Sequence, residues 1–210
     1  MTAGFGNTSF LGFPIIEALY GEEGLKTAIL VDQPGTFVAL TTLGVVVATL
    51  YSTGSANLFT IFRKIIFFPP FIAFLLACGM NLFQYDFHQY IEFTLLKIGS
   101  LMTPLAMLSV GMQLRFDQNS KHWKFLRLGL FYKLVLIPAI LYFLYVIIFD
   151  QHSKMIQVSI MEAAMAPMIS SSIIAASHGL KPKLCSMMVG FGIPLSFITL
   201  FFWYWIVSFI

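Results

Sequence analysis

A chain of 210 residues that is 59% hydrophobic and only 10% charged, with a mean hydropathy of +0.87, is not an ordinary soluble domain, since those carry roughly 25% charged residues. Its apolar runs are continuous, as over residues 45–50 and 134–149, which excludes a transmembrane β-barrel, whose segments of about ten residues alternate polar and apolar. The formal net charge of +3 is small, so its distribution among the loops carries more meaning than its size.

Seven hydrophobic segments follow in chain order: 3–20, 25–50, 65–83, 93–114, 124–149, 156–178 and 184–208. At about 20 residues per span they predict an all-α polytopic membrane protein with about seven transmembrane helices. Short polar connections and the lack of a linker make residues 1–210 a single membrane domain. The first segment contains GFGNTSFLGFP, residues 4–14, and ends near Glu17, read as interfacial. The second carries Asp32 and Gln33 near its start and Pro34 inside it. Lys97 and Lys133 in the fourth and fifth read as snorkelling lysines. The sixth contains MEAAMAPMISSSIIAASHG, residues 161–179. The seventh ends in Trp203, Tyr204 and Trp205, an interfacial aromatic belt in this reading.

The loops alternate in charge. Gly21-Glu22-Glu23-Gly24, the segment 84–92 with Asp86 and Glu92, and the turn 150–154 are acidic or balanced. The intervening loops carry Arg63 and Lys64, then Arg115, Lys121, Lys124 and Arg127, then Lys181 and Lys183. Basic loops stay in the cytoplasm, so the N-terminus is expected inside and the C-terminus outside. Topology explains the basic segment 115–127 better than nucleic-acid binding does. Cys78 and Cys185 read as buried soft hydrophobes, with no disulfide or metal site. No cleavable signal peptide, nucleotide fingerprint, zinc motif or nucleophile elbow is visible, so no enzyme and no cofactor is expected.

The first and sixth segments concentrate helix breakers and hydrogen-bonding side chains. Unwound backbone is tolerated at membrane depth only where protein or a water-filled cavity covers it. Small residues also serve close helix packing, which accounts for the sixth segment alone as well as a broken helix does. What favours two broken helices is a weak internal repeat between residues 18–37 and 175–197. Each unit has a glycine (Gly21 or Gly179), a charged turn and a mid-span proline (Pro34 or Pro194). The charge-based topology makes the two units inverted, and broken helices at matching places in inverted repeats point to a transporter's binding site. Asp32 and Glu162 are the ionisable candidates, since a carboxylate at the bilayer centre costs ~2.5–3.5 kcal/mol and is usually functional.

GNTSFLGFPIIEALYG resembles the GNT-x-x-x-G-x-P segment of the auxin efflux carrier family. TPLAMLSVGMQL, residues 103–114, is similar to that family's Pro-Leu-Ala span. The Pro167 segment is similar to its second crossover helix, and Gly192 with Pro194 to its last helix. The resemblance implies ten helices in two inverted five-helix repeats, with the fourth and ninth helices crossing. This chain would start at the fourth: residues 1–50 would end the first repeat and 65–210 would form the second. Glu162 stands where the family commonly has Gln, and Ala166 precedes Pro167 where the proline would follow directly.

The combined expectation is a secondary transporter of a small organic anion such as a carboxylate, in the cytoplasmic membrane of a bacterium. Asn7, Thr8, Ser9, Pro14, Gln33, Pro167, Ser170 and Ser171 would form the substrate site. Asp32 or Glu162 would carry a coupling ion, a proton or sodium. The scaffold of the third and fourth spans would, by resemblance, also support a homodimer. The alternative is a truncated, non-transporting membrane fragment or an assembly subunit derived from such a carrier.

Overall fold

Glycine and proline decide where the helices of this chain stop. The computed structural model describes residues 1–53, 59, 63, 66, 67, 69–101, 105, 108, 112 and 122–210. No strand occurs among the described residues, only one isolated antiparallel bridge between Gly6 and Pro167. Most of TPLAMLSVGMQL lies outside the described residues.

The chain enters through a 3-10 turn, Thr2–Gly4, and an extended step at Phe5, then winds into a π-helical turn, Thr8–Gly12. Helix α1, Phe13–Leu30, follows directly. Pro14 lies in its first turn, where a missing N–H leaves no intrahelical bond unmade. At Gly21 the helix is interrupted by φ +69°, ψ −165°, a conformation that only glycine adopts without strain. The helical path then runs through π turns at Val31–Phe37 and Leu40–Gly44 into α2, Val45–Thr53. Pro34 explains the first of these turns: it removes the N–H that Leu30's carbonyl would accept, and the wider turn absorbs the disruption.

Helices α3, Pro69–Leu82, and α4, Gln89–Ser100, come next. Leu75, Leu76, Phe93, Leu96 and Ile98 on them are exposed, a lipid-compatible surface. Helix α5, Trp123–Phe131, passes through a π turn at Tyr132–Leu136 into α6, Ile137–Tyr142, and a further π turn, Phe143–Ile148. The sixth segment is two helices, α7, Lys154–Ala163, and α8, Ile169–Ser177, separated by residues 164–168. Helix α9, Pro182–Val207, starts beyond Gly179, whose φ is +72°.

This is an all-α membrane protein. Among the described residues, Thr8–Ser52, Trp123–Ile148 and Pro182–Val207 are long and apolar enough to cross a bilayer, and Phe71–Leu82 is a shorter apolar helix.

Helices α1, α7 and α9 enclose the main core, with Ile16, Ile160, Met161, Met165 and Val207 at its centre. In lipid such packing rests on close contact more than on escape from water. Gly192 shows how close: a methyl there would come within 2.5 Å of Pro167 Cδ. Trp203 belongs to this core as well, which corrects its place in the expected aromatic belt. It is 4% exposed and its Nε1 donates to Leu134's carbonyl at 2.9 Å. That carbonyl lacks its helical donor because the residue four positions on is Pro138. Trp205, by contrast, is exposed, as a belt residue should be.

Candidate functional site

The two breaks meet. Asn7 donates its backbone N–H to Ala166's carbonyl at 2.7 Å, and Met168 donates to Phe5's carbonyl at 3.0 Å. Each unwound segment thereby satisfies part of the other's backbone, so the exposed peptide groups that would be costly in hydrocarbon are paired at the crossing. Gly6 allows the approach: a methyl on it would sit 2.9 Å from Lys133 Nζ and 3.2 Å from Glu162's carbonyl oxygen.

The first break is closed by its own half of the chain. Asn7's carbonyl accepts from both Leu11 and Gly12 N–H. The hydroxyls of Thr8 and Ser9 donate to Asp32 Oδ1, at 2.5 and 2.8 Å, and Gln33 Nε2 donates to Asp32 Oδ2 at 3.1 Å. Asp32 is 1% exposed and has three donors. Its charge lies beside the first residues of a helical segment, where the backbone dipole favours an anion. The π turn around Pro34 is what places Asp32 in the stretch that faces Thr8.

The second break is held differently. Pro167 lies four residues after Ala163, so Ala163's carbonyl, the last of α7, has no helical donor. Lys133 Nζ supplies one at 2.8 Å, and a cation at a helix C-terminus also suits the dipole. Lys133 is 4% exposed, which corrects its reading as a snorkelling residue: the side chain turns inward to the break.

Glu162, one residue earlier, is fully buried, and neither carboxylate oxygen has a hydrogen-bond partner. The carboxylate lies against the first break: a methyl on Gly12 would come within 2.5 Å of its Oε2. The charged groups acting on Glu162 are Asp32 and Lys133. Asn7 is also buried with both side-chain polar atoms unpartnered. Buried polar groups are nearly always satisfied in folded proteins, so two such side chains at one crossing mark a place where something else binds.

A cavity of about 530 Å³ opens beside the crossing. Thr8, Lys133 and Glu162 line it, with Ile137, Leu141 and Ile156 among its apolar walls. Ser171 is buried and donates to Met168's carbonyl inside α8, and Ser170 is half-buried in the same first turn. Pro14 is exposed at the start of α1. Lys133, Gly6 and Gly12 are the crossing residues that the sequence reading did not select. A lysine ten residues into an apolar span was the available signal for the first, since intramembrane charges are functional by default.

A family model described as a membrane transport protein matches residues 1–204. The chain is 31% identical over 201 residues to an uncharacterized transporter of Methanothermobacter thermautotrophicus, covering 94% of this chain and 63% of that protein. It is 34% identical over 113 residues to an uncharacterized transporter of Methanocaldococcus jannaschii, covering 52% of this chain and 35% of that one. The chain thus spans less than two thirds of the length of the relatives it matches.

Proposed function

The chain belongs to the membrane transport protein family, the auxin efflux carrier family of its motifs, and from that premise we propose that it moves a small organic anion, such as a carboxylate, through the crossing of its two broken helices. The observation that carries this reading is the pairing of Phe5–Asn7 with residues 166–168 beside a cavity lined by the unpartnered, buried Glu162 carboxyl, with the unpartnered Asn7 amide in the first break itself. A transporter's site needs groups that bind a polar solute within an apolar protein, and it needs them left open by the protein itself.

In the proposed cycle Asn7 and Lys133 meet the substrate's carboxylate, helped by the free N–H groups in the first turn of α8. Ser170 and Ser171 shape that turn. Asp32 holds Thr8 and Ser9 in place, and Gln33 holds Asp32. Glu162 is the group that exchanges a coupling ion, proton or sodium, because it alone of the two carboxylates lacks protein donors. Pro167 keeps the second break open. The proposed setting is the cytoplasmic membrane of a bacterium, with the N-terminus inside, the C-terminus outside and a homodimer through the third and fourth spans. The two relatives are archaeal.

Flux of radiolabelled carboxylates into proteoliposomes tests this reading. The double variant Asn7→Ala, Glu162→Gln should lose concentrative uptake while remaining folded in detergent. Unchanged uptake by that variant would remove the crossing from the transport path.

A further inference from the structure

The cavity beside the crossing holds an ammonium group and a carboxyl group with unused hydrogen-bonding capacity, and this narrows the class of solute that fits. Lys133 has three N–H donors, and one of them bonds to Ala163's carbonyl. The ammonium lines the cavity and is almost fully buried, so the other two donors call for an anionic acceptor. Glu162 lines the same cavity, is wholly buried, and has two acceptor oxygens with no donor. A buried carboxyl whose oxygens find no donor is costly to a protein. A simple carboxylate satisfies Lys133 and brings no donor for the Glu162 oxygens. A simple amine does the reverse.

We propose that the substrate carries both groups: an α-amino acid, its carboxylate on Lys133 and its ammonium on Glu162, with an apolar side chain against Ile137, Leu141 and Ile156. The inference rests on the transport reading above and narrows its carboxylate substrate to one that also carries an ammonium, a zwitterion with no net charge. Asp32 is a poorer partner for the ammonium because it does not line the cavity and Thr8, Ser9 and Gln33 already donate to it. The close contact of Glu162 with Gly12 then has a use, since a side chain at position 12 would displace the carboxylate from the cavity. The charged groups acting on Glu162 are Asp32 and Lys133. Ammonium and coupling proton become alternative occupants of one carboxylate, so export of one amino acid would admit one proton.

The test is competition and direct flux in proteoliposomes of the protein with three compounds sharing one branched side chain: L-leucine, 4-methylpentanoate without the amine, and 3-methylbutylamine without the carboxylate. Leucine should be taken up, and each analogue should compete at least about a hundredfold more weakly, as expected when a buried polar partner is left unmatched. In Glu162→Gln the advantage of leucine over 4-methylpentanoate should collapse to within a few-fold. Uptake of 4-methylpentanoate as readily as leucine by the unaltered protein would overturn the amino-acid assignment while leaving carboxylate transport standing. Uptake of the amine as readily as leucine would overturn it too. No flux of leucine, 4-methylpentanoate or a dicarboxylate such as malate would overturn both readings. The analogue series needs no variant, so a folding defect in Glu162→Gln does not obscure the outcome.

Discussion

The two breaks cross at one point and solve the same problem in opposite ways. The first, around Gly6–Gly12, finds its partners nearby in sequence: Asn7's carbonyl takes two N–H groups, and Asp32, two dozen residues on, gathers Thr8, Ser9 and Gln33. The second, around Pro167, borrows a donor from another span through Lys133 and leaves Glu162 with none. The carboxylate of the first break is supplied with donors and that of the second is not, while Asn7 in the first break keeps an unpartnered side-chain amide. Exchange of an ion belongs on the carboxyl without donors, Glu162, and the Asp32 cluster serves as the fixed wall against which it works.

The contrast can be broken most severely at Gly12, where the two sides touch. Gly12→Val pushes two methyl carbons into the Glu162 carboxylate. Overpacking costs about 1–3 kcal/mol, so flux should fall roughly tenfold to a hundredfold, read as initial rates in proteoliposomes at matched protein density.

Lys133 separates donor from charge. Lys133→Met leaves Ala163's carbonyl unpaired, and thermal unfolding in detergent should show a loss of about 1–3 kcal/mol. Lys133→Gln keeps a donor and should recover most of that stability without recovering substrate flux. A Gln variant with full flux would reduce Lys133 to a structural tie.

The smallest effect is expected at Ser171, whose hydroxyl bonds within its own helix turn. Ser171→Ala should cost about 0.5–1.5 kcal/mol in the same unfolding assay, the usual worth of one such bond. A large loss of flux with unchanged stability would move Ser171 into the binding surface.

Much of this was legible in the sequence, because glycine and proline act locally. The breaks fall where the breakers cluster, and Gly21 and Gly179 both take the positive φ that a turn after a half-helix requires. The spans read as 124–149 and 184–208 appear as helical stretches at Trp123–Ile148 and Pro182–Val207. The burial of Asp32 and Glu162 was also legible, since carboxylates inside apolar runs need cover.

What escaped the sequence depends on pairing at a distance. Lys133 reaches Ala163 across 30 residues, and Trp203 reaches Leu134 across 69. No periodicity announces either contact. Both share one cause that sequence does contain, a proline four residues beyond the accepting carbonyl, but which side chain fills the vacancy is decided only by packing. The π turns were missed for a related reason: Pro34 marks a disturbed ladder without saying whether the helix kinks, ends or widens.

The most direct test of the contrast between the two carboxyl groups compares Glu162→Gln with Asp32→Asn in proteoliposomes under an imposed pH gradient. Gradient-driven flux should vanish in Glu162→Gln, because the exchangeable carboxylate is gone. It should persist at a reduced rate in Asp32→Asn, whose remaining oxygen still accepts from Thr8 and Ser9. Gradient-driven flux that survives in Glu162→Gln and disappears in Asp32→Asn would contradict the account and place the exchanging group on the first break.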